Sequence, residues 1–341
     1  RFEISEEQKP SSIGLEIIEK KKDFFKLIAK AVKAERIGIS LAVEKGILYG
    51  AGLALDDKTY GLAVEAEVQA SFDFSSMGIV SDQGDGLTEA VIKEGLEEVL
   101  SADHQKMSCD VKGLRKYFQN YDEGKYFDSV VAAYLLAPLK SDHAYDDISS
   151  EYLGITCPSK EELVGKKGYA KAADKKAIAS ACAYEAAVAL MSEPMLTKKL
   201  EETGMTELFE KVEMPLTTVL ASMENLGILA DRAKLKEYGQ ELSTRIDALT
   251  EKIYEAAGEN FNINSPRQLG DILFVKMGLP GGKKTKTGYS TAAEVLDRLA
   301  PEVPFVSDVL EYRQLTKLKS TYADALADYI AEDGRIHTTF N

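Results

Sequence analysis

Between Gly281 and Thr291 the chain reads Gly281-Gly282-Lys283-Lys284-Thr285-Lys286-Thr287-Gly288-Tyr289-Ser290-Thr291. Three lysines, three glycines and four hydroxyl residues besides Tyr289 fall within these eleven residues. Lysine brings charge to a phosphate, Ser and Thr donate hydrogen bonds, and Gly lets a backbone come close to its partner. Ser290 or Thr291 at a helix start would add backbone N–H donors aimed at an anion. The competing reading is a solvated linker, and composition alone divides evenly between the two. No Gly-x-x-x-x-Gly-Lys-Ser/Thr run is present, so this is not a P-loop.

A second candidate is Tyr312-Arg313-Gln314-Leu315-Thr316-Lys317-Leu318-Lys319-Ser320-Thr321-Tyr322. At helical spacing Arg313 and Lys317 share a face, which Ser320 and Thr321 extend. Lys319 stands beside them. Leu315, Leu318 and Tyr322 are expected on the opposite, buried face. Such a stripe suits a phosphate backbone, although an amphipathic helix with a charged outer face is the commoner case.

These segments need a scaffold. The chain has 341 residues, 45% hydrophobic and 29% charged, which fits a folded protein of two or three domains. The formal charge is −14, naively unfavourable for a nucleic-acid partner. From Phe261 onward, however, ten Lys/Arg balance ten Asp/Glu, so the first 260 residues carry the whole excess. No apolar run reaches the ~18–20 residues of a membrane span. Cys109, Cys157 and Cys182 form no CxxC pair, and His104, His143 and His337 lack ligand spacing, so no metal site is expected. A reducing cytoplasm fits three unpaired cysteines. The start at Arg1, without Met, suggests a piece of something longer.

The front half reads as α/β. Residues 22–34 have helical periodicity, and strand-like runs follow at Ile37–Val43, Ile47–Leu55 and Tyr60–Val64, separated by hairpin-length breaks. Helices are expected at 89–100, 110–119, 127–136 and 169–191. Ser192-Glu193-Pro194 marks a boundary. The back half reads as helical. Asp231 caps 232–257, Gly258 ends it, and Ser265-Pro266 opens the next helix. Residues 279–291 are expected to lie outside any core. Helices resume at 291–299 and 305–330, so two long helices flank an exposed basic loop as an antiparallel hairpin.

Taken together, several segments resemble the thumb of bacterial family A DNA polymerases. They are Asn262-Ile263-Asn264-Ser265-Pro266-Arg267-Gln268-Leu269-Gly270, Ile272-Leu273-Phe274, Lys283–Thr291, Tyr312-Arg313, Lys317–Tyr322 and Gly334-Arg335-Ile336-His337-Thr338. Glu213-x-Pro215-Leu216 and Met223-Glu224-x-x-Gly227-Ile228 extend the likeness backward, and Phe127–Leu136 is similar to a helix of the family's 3′–5′ exonuclease domain. The resemblance implies an α/β, ribonuclease-H-like exonuclease domain over 1–192. An all-α thumb with a long antiparallel helical hairpin follows over 193–333, and the palm begins at 334–341. It implies that Lys283, Lys284, Lys286, Thr287, Ser290, Thr291, Arg313, Lys317, Lys319, Ser320 and Thr321 face a primer–template duplex. It also implies that the Mg²⁺-binding palm aspartates and the fingers follow Asn341, leaving this chain without polymerase catalytic residues or a cofactor of its own.

The exonuclease pattern departs from the family's. A two-metal phosphodiesterase needs converging carboxylates. The family has Asp-x-Glu on the first strand, Asn-x-x-x-Asp at a helix start and Tyr-x-x-x-Asp on a late helix. The corresponding positions here are Ala42 and Glu44, Asp110 and Leu114, and Ala181 and Glu185. Glu44 and Glu185 then read as ordinary charged residues, and Asp128 as structural. The implied whole is a monomeric, cytoplasmic replication and repair polymerase with an inactive exonuclease-like domain. An active 3′–5′ exonuclease on DNA ends is the alternative, disfavoured by the carboxylate count. An acidic helical interaction module is a third reading, opposed by the order of the Lys/Thr/Ser motif.

Overall fold

A hydrophobic alternation of period two shapes the front of the molecule. The computed structural model describes residues 13–56, 58–65, 72–73, 78–79, 84–121, 124–172, 174–280, 282, 284–285 and 288–340. The chain divides into two compact units, 1–225 and 226–341.

In the first unit, β1 (Leu15–Ile18), α1 (Lys21–Ala31), β2 (Arg36–Glu44), β3 (Ile47–Ala54) and β4 (Thr59–Ala63) come first. A short antiparallel ribbon, β5 (Phe72–Asp73) with β6 (Gly78–Ile79), precedes α2 (Glu89–Ser101). Then follow β7 (Gln105–Ser108), α3 (Val111–Tyr117), β8 (Lys125–Asp128), α4 (Ser129–Leu136), α5 (Tyr145–Ile148), α6 (Lys160–Val164) and α7 (Lys175–Glu202). One six-stranded sheet has the order β1-β4-β3-β2-β7-β8. The β2–β3–β4 meander is antiparallel, while β1, β7 and β8 each join their neighbours in parallel. Parallel neighbours need long crossovers, and α1, α2 and α3 supply them.

Alternation sends Ile37 and Ile39 of β2, with Leu53 of β3 and Leu62 of β4, into a core shared with Phe24, Ile28, Ile92 and Leu96 of α1 and α2. The other face carries Gly38, Gly52 and Gly61, and α7 lies on it almost backbone to backbone. A Cβ on those glycines would stand 2.0, 2.1 and 2.4 Å from the carbonyl oxygens of Ala186, Cys182 and Ala179. The helix meets the glycines with a row of buried alanines, including Ala179, Ala183, Ala186 and Ala187.

The last part of this unit is α8 (Thr206–Leu208), a wide turn at 209–213 and α9 (Met214–Leu226). Glu224 near the end of α9 is 1% exposed and sits between Lys112 (2.9 Å) and Lys116 (2.7 Å) of α3.

The second unit holds β9 (Ile228–Leu229), α10 (Arg232–Ala257), α11 (Pro266–Asp271), β10 (Lys284–Thr285), β11 (Gly288–Tyr289), α12 (Ala293–Leu299), α13 (Pro304–Leu318), α14 (Ala325–Asp328) and β12 (Arg335–Ile336). Asp231 caps α10 by accepting from the N–H groups of Ala233 and Lys234, and Gly258 ends it at φ 70°. Ser265 caps α11, with Pro266 at its first position. Along α10, Gly239 lies by Ala323, Arg245 pairs with Glu311 and Lys252 with Asp308. Rising numbers meet falling ones, so the long helices run antiparallel. Ile253, Leu269, Leu273, Leu296, Phe305 and Val309 form the core at one end.

Four expectations are corrected. The chain does not break at Ser192-Glu193-Pro194: α7 runs through Pro194, and the units part after Asn225. A mid-helix proline costs about 3 kcal/mol, but Leu190, Ser192, Leu196 and Leu200 are buried on both sides of it and hold the helix together. Phe127 and Asp128 belong to a parallel strand rather than to the helix that follows. Tyr322 is 53% exposed, not buried, because a wide turn at 319–324 shifts the helical phase. Within 279–291, Tyr289 and Thr291 do enter a core, since Tyr289 packs on Phe274 and Thr291 is 5% exposed.

The glycine face gives a direct test. Gly52→Ala should destabilise the protein by about 1–3 kcal/mol through overpacking, read as a lower urea midpoint. An unchanged midpoint would mean that α7 lies farther from the sheet than described.

A candidate nucleic-acid interface

In the second unit, Tyr289 packs on Phe274 with ring centroids 5.1 Å apart and the rings tilted by 38°, anchoring the residue before Ser290. After it, Arg313 Nη1 donates to the carbonyl oxygen of Thr291 at 2.7 Å, and Nη2 to its hydroxyl at 3.2 Å. Asn264, Pro266, Tyr289, Ser290, Ala292 and Arg313 line an open recess with Thr291. The Asn264 amide reaches the Tyr312 hydroxyl at 3.3 Å. The Ser290 hydroxyl accepts from the Ala292 N–H at 3.5 Å, which leaves its own proton for a partner. Partial burial holds the Arg313 pKa below its usual value.

Beyond the recess, Lys317, Ser320 and Thr321 are exposed on the same helical segment. Lys319 is tied to Asp324 at 2.6 Å, and Ser320 donates to the Lys317 carbonyl at 3.3 Å. Lys283, Lys286 and Thr287 lie outside the described residues, and for Lys284 only the backbone, paired with Tyr289, is described. The α12 helix starts at Ala293, with neither Ser290 nor Thr291 at its cap. The structure thus brings Ser290, Thr291 and Arg313 together and sets Lys317, Ser320 and Thr321 on the adjoining face. The sequence reading missed Asn264 as a member of the recess, although the Asn-x-Asn before Ser265 was visible.

The first unit holds a second cluster. Ser40 Oγ donates to Glu185 Oε2 at 2.5 Å, and Cys109 lies against the Glu185 carbonyl at 3.8 Å. Burial pushes the Glu185 carboxyl up to about 7, against the Ser40 hydrogen bond, which lowers it. Glu185 is therefore a half-buried, perturbed carboxyl, and the expectation of an ordinary charged residue is corrected. Asp128 accepts from the N–H groups of Val111, Val130 and Val131 and is structural, as expected. Burial nonetheless raises it to about 6. Asp110 caps α3 through the Gly113 N–H at 2.7 Å. Leu114 belongs to the core with Ile37 and Ile39.

Ala42 and Ala181 are buried with Val164, Ile178 and Cys182 in an apolar cluster. Glu44 accepts from the Ala170 N–H at 3.2 Å. The β2 residue facing Glu185 is Ser40, not Ala42 or Glu44, which moves the expected register by two to four residues; strand alternation was the available signal. Among the described residues no group of three or more His, Cys, Asp or Glu could hold a metal ion. A hydroxyl and buried apolar side chains do not fit a two-ion site, and no metal-dependent step follows from them.

Comparison with known proteins adds the family. Residues 232–341 match the model of DNA polymerase family A. DNA polymerase I of Bacillus subtilis (strain 168) is 44% identical over 223 residues, 64% of this chain and 25% of the relative. DNA polymerase I of Streptococcus pneumoniae serotype 4 is 41% identical over 274 residues, 77% of this chain and 31% of the relative. This chain belongs to the bacterial family A DNA polymerases. It spans a quarter to a third of the length of those relatives. The fold of this family A chain is also that of the POL domain of Pol1 from M. smegmatis, solved with DNA primer-template and dNTP. That likeness has a TM-score of 0.67 at 24% identity, over 96% of this chain and 52% of the other. No helix among the described residues is long and apolar enough to cross a membrane.

The Glu185 environment sets a pH dependence. With its folded pKa near 7 and an unfolded value near 4.3, the native state binds the extra proton between those values. Stability from this group is therefore fully present at low pH and is lost as pH rises through about 7. Glu185→Gln cannot ionise, so its melting temperature relative to the native protein should rise from pH 5 to pH 8. A difference that stays flat over that interval would show an exposed, ordinary carboxylate.

Proposed function

We propose that this chain is the duplex-holding part of a DNA-directed DNA polymerase, comprising a thumb and an exonuclease-like domain that no longer cuts DNA. The observation that carries the reading is the recess around Ser290 and Arg313, with Lys317, Ser320 and Thr321 beside it, inside the segment that matches the family model. The relatives are DNA polymerases I, and the neighbouring fold was solved on a primer–template. A polymerase must hold every sequence alike, and cations and hydroxyls on phosphates carry no sequence information. Lys317 and the lysines at 283, 284 and 286 supply charge, while Ser290, Ser320 and Thr321 supply neutral donors. Lys319 joins them by leaving Asp324.

In this reading the thumb extends over about 193–333, its helices up to residue 225 packed as part of the first compact unit, and the palm begins near residue 334. The front unit is a ribonuclease-H-like domain whose remaining task is structural. Mg²⁺ for nucleotidyl transfer would be held by palm aspartates of the whole polymerase rather than by these residues. The whole would act as a monomer in the cytoplasm, in replication and repair.

Two outcomes are expected. Each phosphate neutralised by Lys or Arg adds about −0.9 to the slope of log affinity against log salt. Lys317→Ala should flatten that slope by about one unit for duplexes of any sequence, measured by fluorescence anisotropy at low salt; an unaltered slope would remove Lys317 from the interface. Separately, single-stranded DNA incubated with the chain and Mg²⁺ or Mn²⁺ should keep its length. Shortening that vanishes in Glu185→Gln would restore the exonuclease alternative.

A further inference from the structure

We infer that Arg313 is a positioning residue: its guanidinium fork fixes Thr291 so that the Ser290 hydroxyl is held towards the recess, and it does not itself neutralise a phosphate. The inference rests on the reading of the recess as a duplex-contacting surface. Two terminal nitrogens of Arg313 meet two acceptors of one residue, the Thr291 carbonyl at 2.7 Å and its hydroxyl at 3.2 Å. A planar fork can serve both at once; an ammonium on a flexible stem cannot do so with the same geometry. Thr291 is buried, so it can transmit position but has little surface to offer a ligand. On the other side of Ser290, Tyr289 is clamped between Phe274 and Gly270, where an added Cβ would lie 3.1 Å from the Tyr289 Cβ. Ser290 is thus pinned at both neighbours, and its oxygen is occupied by the Ala292 N–H. Its proton is the freely directed donor of this turn. One helical turn on, Lys317 is exposed. The division of labour follows: Lys317 provides charge, and Arg313 provides geometry to a neutral donor.

The two roles separate in their salt dependence. Arg313→Ala should weaken duplex binding about fivefold, the worth of a hydrogen bond, while leaving the salt slope unchanged. Arg313→Lys, which keeps the charge but loses the fork, should bind as weakly as Arg313→Ala. Ser290→Ala should add nothing further on the Arg313→Lys background, because the donor it removes is already misdirected. A slope flattened by about 0.9 in Arg313→Ala would make Arg313 a direct phosphate contact and overturn the inference. So would full binding by Arg313→Lys, or losses that add. Amide exchange in the DNA-free chain tests the brace without any ligand. Arg313→Lys should speed exchange at Ser290–Ala292 and leave α10 unchanged, and equal protection of that turn would refute the brace. If Lys317→Ala and Arg313→Ala both bind as the native chain while exchange at the turn quickens, the duplex-holding reading falls and the brace stands.

Discussion

The approach of α7 to the sheet is the constraint on which the first unit depends. The helix carbonyls of Ala179, Cys182 and Ala186 occupy the space that side chains on Gly61, Gly52 and Gly38 would fill. Dispersion falls off steeply with distance, so an interface of Gly against Ala gains its contacts by bringing backbones together rather than by adding bulk. The close contact also explains how α7 survives Pro194. A helix held along most of its length by packing loses one hydrogen bond at the proline and keeps its direction. It also fixes Glu185, which projects from this rigid helix against Ser40 on β2.

The same packing accounts for the state of the carboxylate cluster. Two-ion phosphodiester chemistry needs several carboxylates to converge. Here the strand contributes Ser40, the α3 start contributes a capping Asp110, and α7 contributes Glu185. Ala42 and Ala181 are buried with Val164 and Cys182, so apolar packing fills the neighbourhood. Burial makes a carboxylate in such a place costly to ionise, and neighbouring Asp110 adds repulsion, which is why Glu185 and Asp128 are both pushed up.

How much was legible depended on whether a signal was local. The β2–β3–β4 meander, α1, α2, the Asp231 and Ser265 caps and the Gly258 stop all came from side chains acting on their own backbone, and all stand within three residues of expectation. β1, β7 and β8 were invisible because a four-residue parallel strand such as Gln105–Ser108 owes its existence to a neighbour distant in sequence. Glu44 and Ser40 were confused for a related reason. Motif spacing fixes a position only to within a few residues, whereas strand alternation, which decides the face, needs the helix on the other side to be known. In the recess, the types of Ser290, Thr291 and Arg313 could be read. That two of them are bonded to each other could not, because they lie 22 residues apart.

Glu224 shows the same division between charge as a total and charge as a position. It is one of the many acidic residues that make the first 260 residues so negative, yet it is buried between Lys112 and Lys116 on α3. Burying a carboxylate costs several kcal/mol, and two close ammonium groups are what offset it. The Asn225 amide adds a bond to the Lys116 carbonyl at 3.1 Å, and Arg115 reaches the Met214 carbonyl and the Thr217 and Thr218 hydroxyls. Three consecutive turns of α9 are therefore held by one short basic helix. Removing one lysine would leave Glu224 half compensated, so the pair acts as a latch with a definite register rather than as a diffuse attraction. Three of the chain's cations are spent inside the acidic unit on this latch. The final segment from Phe261 onward is electrically neutral instead, and there Lys317 stands exposed on its helix.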